Sequence, residues 1–254
     1  MKKLVQVAAA CAAVGFGFLA YVYLTLPDVS LLATVNPPTT AFIELRASEA
    51  AARRAAPRRV QQWVPYSAIS SSLKRAVLVA EDDAFWQHDG IDVKQITESI
   101  ERDLQKGTFS RGGSTITQQL AKNLYLSPSK NPVRKLRELL ITRRLEASLS
   151  KTRILEIYLN VIEWGDRVYG AEAASRTYFR KPASALNAEE GALLASSIMN
   201  PRIWNPARPT PGLIRRQKLI LDRMGVVTPP ADPSAPPPIG EPAKTEPPPE
   251  TIIK

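Results

Sequence analysis

Two glutamates and the polar stretch between them are the residues of this chain best suited to chemistry. Glu81 ends the apolar run AVLVAE and is followed by Asp82 and Asp83, Glu138 lies in NPVRKLRELL, and RGGSTITQQLAKNLYL (111–126) runs between them. Gly112 and Gly113 allow the backbone to come close to a ligand. Ser114 is a good N-cap, and the free N–H groups of the helix it would open make an anion site. Ser114, Gln118 and Lys122 then share a polar face at i, i+4 and i+8, while Ile116, Leu120 and Leu124 form the apolar one. Gln119 and Asn123 add amides on the same turns. A carboxylate on each flank and an anion cradle between them point to sugar chemistry with a phosphate leaving group.

Each of these signals has a plainer alternative. Glu81 can be a solvated helix terminus, although negative charge at a helix C-terminus is unfavourable. Beside Phe85 and Trp86 its carboxyl can also be desolvated and raised in pKa, which suits a general base or acid. His88 reads as a packed histidine bonded to nearby backbone rather than a proton carrier, and Asp92 as an N-cap. RGGST can be a turn with a cap. Arg134 and Glu138 stand at i, i+4 with Lys135 and Arg137 alongside; this is either a surface ion pair worth a few tenths of a kcal/mol or a carboxylate that binds a metal or holds a catalytic cation.

These residues must be positioned by helices. Ile69, Leu73, Ala76, Val77 and Ala80 recur at helical spacing up to Glu81. Asp92 opens a second helix to about Lys106, and the Ser114 helix follows until Ser127-Pro128. Asn131-Pro132 starts a long helix to about Leu149, with proline at its first position, and Ser150 caps the next. Stretches 170–179, 187–198 and 210–224 are three more candidates, and no strand-like alternation is sustained. The fold class is therefore mainly α.

The flanks differ in character. After Lys2 and Lys3, residues 4–26 are apolar except for Gln6 and Thr25, long enough to span a bilayer, with Tyr21 and Tyr23 near the far end. An uncleaved transmembrane anchor (1–27) with its lysines on the cytoplasmic side is expected rather than a signal peptide. Residues 28–59 read as a linker, 60–226 as the folded domain, and 227–254 as a disordered proline-rich tail. The chain has 254 residues, a net charge of +10 and pI ≈ 9.8, so acidic partners are expected. A single cysteine, Cys11, excludes an internal disulfide, and the single histidine excludes a site needing two imidazoles. No phosphate-loop or dinucleotide-binding glycine pattern and no nucleic-acid motif is present.

Taken together and in order, EDDAFWQHDGID, RGGSTITQQLAKNLYL, RKLRE and KTRILEIYLN closely resemble the motifs of glycosyltransferase family 51, the peptidoglycan glycosyltransferases. The likeness runs from about Val64 to about Met224 and continues through EWGDRVYGAEAASRTYFRKPASALNAEEGALLASSIMNP. No transpeptidase motifs accompany it, so the monofunctional form is expected. The resemblance implies a lysozyme-like domain with a small membrane-proximal jaw lobe, on the outer, periplasmic side of the inner membrane. It implies lipid II and the growing glycan strand as substrates, contact with membrane lipid, and cell-wall synthesis or division proteins as partners. Glu81 matches the family's catalytic base and Glu138 its second, donor-side glutamate. Ser114, Gln118, Gln119, Lys122, Arg134 and Lys135 match donor-site residues, while Asp82, Phe85 and His88 match supporting positions. Several relatives carry an arginine where this chain has Lys130, which supplies a point charge but no bidentate fork. A divalent cation, Mg²⁺ or Mn²⁺, is implied near the diphosphate, with Glu138 as its candidate ligand. The competing reading is a membrane-anchored lysozyme-like or lytic enzyme that cuts the same polymer; it would also use a glutamate but has no use for a diphosphate cradle.

Overall fold

The computed structural model describes residues 1–56, 58–106, 113–128 and 131–226. Gly112, Lys130 and the proline-rich tail 227–254, for which the sequence raised expectations, lie outside the described residues. Ten α-helices are present among the described residues: α1 Lys2–Leu24, α2 Ala41–Ala52, α3 Ser71–Glu81, α4 Val93–Lys106, α5 Ile116–Tyr125, α6 Pro132–Ser148, α7 Lys151–Val161, α8 Ala171–Phe179, α9 Ala188–Ser197 and α10 Pro211–Val226. The mainly helical class expected from periodicity is what folds.

Side chains set most of the helix starts. Ser70 Oγ accepts the Leu73 N–H at 3.0 Å to open α3, Asp92 Oδ1 accepts the Gln95 N–H at 2.8 Å to open α4, and Ser150 Oγ accepts the Arg153 N–H at 3.2 Å to open α7. Each satisfies a backbone donor that the first turn leaves without a partner. Pro132 follows the Asn131 cap of α6, where a missing N–H costs nothing.

Two features depart from the sequence reading. Part of the stretch expected as a linker is ordered: α2 lies within it, capped by Thr40 and tied to the domain by Arg46, whose Nε is 3.1 Å from Glu163 Oε2. Alanine and arginine are good helix formers, and what they lacked in the sequence was a visible apolar stripe. Three very short strands also form a sheet: β1 Val60–Gln61, β2 Glu163–Gly165 and β3 Val168–Tyr169, in the order β1-β3-β2. β3 pairs parallel with β1 and antiparallel with β2. Strands of two or three residues leave no alternation to read.

The core forms where α3 packs on α9 and α10, and where α5 is flanked by α6 and α7. Leu73, Ala76 and Val77 of α3, Ile116 and Leu120 of α5, Ile141 and Leu145 of α6, and Ile154 and Tyr158 of α7 are fully buried. Gly191 lets α9 close on α3, because a Cβ there would stand 3.1 Å from the Leu73 backbone. Gly170, at φ +84°, turns the chain from β3 into α8, and a Cβ would meet the Asn160 carbonyl oxygen at 2.8 Å.

α1 has a mean hydropathy of 2.0 and is long and apolar enough to cross a membrane, and its apolar side chains are exposed along most of its length. Its exit is not loose. Arg137 Nη2 donates to the Thr25 carbonyl at 2.7 Å, Arg144 donates to the carbonyls of Tyr23, Leu26 and Pro27 at 3.3 Å, and the Arg144 guanidinium lies 4.8 Å from the Tyr23 ring centroid. Two arginines of α6 therefore hold the end of the apolar helix to the domain.

Candidate active site

Glu81 is the last residue of α3 and its side chain is only 13% exposed. Gln119 Nε2 of α5 donates to its Oε2 at 2.9 Å, and Arg216 Nη2 of α10 stands 3.6 Å from its Oε1. Burial pushes the carboxyl above the ordinary glutamate value; the Gln119 hydrogen bond and the charges of Arg216 and Lys122 pull the other way, and neighbouring Asp82 adds to the rise. A carboxylate withdrawn from water but still offered one N–H and two cations can accept a proton and then release it.

The neighbouring acid does structural work. Asp82 is 1% exposed; its Oδ2 accepts the Ile116 N–H at 2.9 Å and its Oδ1 lies 2.9 Å from His88 Nε2. The Gly90 N–H donates to His88 Nδ1 at 3.1 Å, so Nδ1 carries no proton and Nε2–H donates to Asp82. His88 is thus the packed, backbone-bonded histidine that the sequence favoured. Phe85 is buried edge-on to Trp86 and to His88, with the Lys151 ammonium 4.5 Å from its ring centroid. Asp82, Phe85 and His88 pack together beside Glu81.

The start of α5 corrects two expectations. Ser114 is exposed and does not cap it; Thr115 does. Thr115 Oγ1 accepts the Gln118 N–H at 3.2 Å while Gln118 Oε1 accepts the Thr115 N–H at 3.2 Å, a reciprocal capping box. A cap at Ser114 would have put Thr117 in the answering position, with no carboxyl or amide to reply. Gln118 is consequently buried against its own backbone and does not face the cleft. The Ile116 N–H is likewise taken, by Asp82, so the anion seated on this helix end is one of the protein's own carboxylates. Gly113 lies at the entry to this turn, half-buried.

Gln119 and Lys122, one helical turn apart, carry the cleft face of α5. Burial lowers the Lys122 pKa; Glu138 and, more weakly, Glu81 raise it, and Arg134 and Lys135 lower it. Lys122 therefore lies within the field of both glutamates, Glu138 acting on it more strongly than Glu81. On the far side, Glu138 is buried at the start of α6, with Arg134 Nη1 2.8 Å from its Oε2 and Lys135 Nζ on its Oε1. The carboxylate is buried while Lys135 stays largely exposed and Arg134 mostly covered, so the arginine is the cation that this buried charge makes expensive to lose. Both of its oxygens meet a cation, so a metal ligated there would share them with Arg134 and Lys135. Among the described residues the one acid–histidine cluster with metal-like spacing is Asp82, His88 and Asp92. It is occupied in the same way, by Ile116, Gly90, Gln95 and its own internal bond.

Two residues at the site had no local signal. Arg216 comes from IRRQK, 135 positions beyond Glu81 (216 − 81), and only the packing of α10 on α3 brings it in. Tyr158 of α7 is fully buried and its hydroxyl donates to Gln119 Oε1 at 2.9 Å. In the sequence KTRILEIYLN it is a tyrosine among apolar residues, with nothing to mark which atom its hydroxyl meets.

Residues 48–225 match the family model for transglycosylases. The chain is 49% identical over 192 residues to a biosynthetic peptidoglycan transglycosylase of Laribacter hongkongensis, covering 76% of this chain and 84% of that protein. It is 46% identical over 207 residues to one of Dechloromonas aromatica (82% and 90%), and 54% identical over 166 residues to one of Chromobacterium violaceum (65% and 73%). The helical domain that carries Glu81, Lys122 and Glu138 is the part that matches, and the chain belongs to the transglycosylase family.

Proposed function

We propose that Glu81 is the general base, and Glu138 the anchor of the donor-side cations, in the polymerisation of lipid II. The chain is a peptidoglycan glycosyltransferase. The growing strand, still on its lipid diphosphate, is the donor and lipid II the acceptor. Glu81 takes the proton of the acceptor's 4-hydroxyl as that oxygen attacks the donor's anomeric carbon. The bond from that carbon to the diphosphate breaks with inversion, giving a β-1,4 link and free undecaprenyl diphosphate. The leaving group needs positive charge more than it needs an acid, and Lys122, Arg134 and Lys135 supply it.

The observation that carries this reading is a largely buried Glu81 bonded by Gln119 Nε2 and faced by Arg216, with Lys122 near enough to favour its ionised form. A lytic enzyme would need the glutamate but not the cations. Gln119 bonds the base directly, Ser114 is exposed with its carbonyl 3.5 Å from Gln119 Nε2, and Gln118 supports the helix start. A divalent ion would be held with Glu138, which already meets Arg134 and Lys135, as its protein carboxylate, and would supply further positive charge to the leaving diphosphate.

The anchor keeps the cleft at the leaflet that holds the lipid substrate. Lys2 and Lys3 favour a cytoplasmic N-terminus and hence a catalytic domain on the periplasmic side of the inner membrane. The grip of Arg137 and Arg144 on residues 23–27 supports a retained anchor rather than a cleaved leader.

Purified full-length protein is incubated with lipid II in detergent micelles and the products are separated by size. Glycan polymer from the wild type that is lost with Glu81→Gln is the expected result. Shortening of preformed glycan without polymer formation overturns it.

A further inference from the structure

We propose that Tyr158 is a positioning residue of this reaction: its buried hydroxyl holds the Gln119 amide in the one orientation that points an N–H at Glu81. Gln119 bridges the two, with Nε2 2.9 Å from Glu81 Oε2 and Oε1 2.9 Å from the Tyr158 hydroxyl. Glutamine can present either end of its amide, and its environment decides which. The reverse orientation would set the amide oxygen against the Glu81 carboxylate and leave the Tyr158 proton without an acceptor in a fully buried position. It would also face that oxygen toward the Ser114 carbonyl, which lies 3.5 Å from Nε2. All three neighbours therefore select the same rotamer.

The consequence falls on the state of the base. An amide N–H favours ionised Glu81, whereas an amide oxygen favours the protonated form. The other groups facing Glu81 are Asp82 beside it, Lys122 on α5 and Arg216 on α10; none of them bonds the Gln119 amide among the described residues. Tyr158 is itself buried deeply enough that its hydroxyl pKa is raised well above the usual tyrosine value, so it stays a hydrogen-bond donor throughout the working range. Removing that hydroxyl frees the amide to turn and lets Glu81 hold its proton at pH values where a base must be empty.

The inference rests on the reading of Glu81 as general base, and the test separates the two. Full-length wild type, Tyr158→Phe, Gln119→Ala and the double variant are assayed for lipid II polymerisation across pH 5 to 9. Tyr158→Phe keeps the ring, and circular dichroism confirms the fold. The expected result is a turnover about 3- to 10-fold lower near neutrality, an unchanged KM for lipid II, and an acid limb displaced upward by about half a pH unit or more. In the Gln119→Ala background, Tyr158→Phe adds no further displacement. An acid limb coincident with that of the wild type, or a uniform loss at every pH, overturns the positioning role. A displacement that persists without Gln119 overturns the relay. If Glu81→Gln retains wild-type polymerisation, the general-base reading fails instead.

Discussion

The Asp82 carboxylate accepts the backbone N–H of Ile116 at 2.9 Å, so the residue next to the candidate base also anchors the first turn of the helix that carries Gln119 and Lys122. One side chain thereby ties the end of α3 to the start of α5. That bond helps set the spacing between Glu81 and Lys122. Asp82→Ala removes an anion from a helix N-terminus, leaves a buried N–H unsatisfied and strips His88 of its acceptor. We expect a loss of about 3 kcal/mol of stability, read by denaturant unfolding, and a fall in polymerisation that tracks it. Asp82→Asn, which keeps an acceptor oxygen, should lose less than half as much.

Glu81 carries a pH signature of its own. Its folded pKa is raised, so the folded chain binds this proton more readily than the unfolded chain. Stability from this group is therefore present at low pH and is lost as pH rises from the ordinary value of 4.5 through the folded value. Glu81→Gln should be more stable than wild type at neutral pH, with the gap closing below about pH 4.5. Turnover should fall by about 10²- to 10⁴-fold. Arg216→Ala removes a charge that favours the ionised base, so its acid limb should move to higher pH. Thermal midpoints and pH–rate profiles on the three proteins check these signs.

Glu138 should act through its cations. It makes the largest contribution that raises the Lys122 pKa, against the lowering caused by burial. Glu138→Gln keeps the shape but removes the charge, so Lys122 should lose its proton at lower pH and the alkaline limb of kcat/KM should shift down. We expect kcat/KM near neutrality to fall about 100-fold, the scale of losing one group that stabilises transition-state charge. An alkaline limb that stays in place would separate Glu138 from Lys122.

Most of the helices were legible because an amphipathic stripe is opened by a side-chain cap. Asp92, Asn131 and Ser150 are read from local text alone. Thr115 could have been: the spacing Thr-x-x-Gln favours it over Ser114, whose answering position holds Thr117. The strands were hidden by their length, and α2 by a composition with no strong apolar face. Glu81, Gln119, Lys122 and Glu138 were found because chemistry-bearing residues crowd one stretch of sequence. Arg216 and Tyr158 were not, because the contacts that matter to them cross 135 positions (216 − 81) and 39 positions respectively. A tyrosine on the apolar face of a helix shows nothing in sequence of which polar atom its hydroxyl will meet.

The grip on the anchor makes the last prediction. Arg144 reaches three carbonyls of residues 23–27 and stacks on the Tyr23 ring, and Arg137 bonds Thr25 through both its carbonyl and its hydroxyl. These contacts come from α6, the helix whose first turns carry Arg134, Lys135 and Glu138. Each Arg144 hydrogen bond is long, so a single one is worth little; the cation–π contact and the charge on the carbonyl oxygens add about 1 kcal/mol more. Arg144→Ala should leave the domain folded but raise amide hydrogen exchange over residues 23–33 by about tenfold, the factor that 1.4 kcal/mol represents. Because α6 loses its brace, polymerisation in lipid bilayers should fall several-fold more than stability does. Exchange at the wild-type rate would mean that the apolar helix and the donor-side cations are held independently.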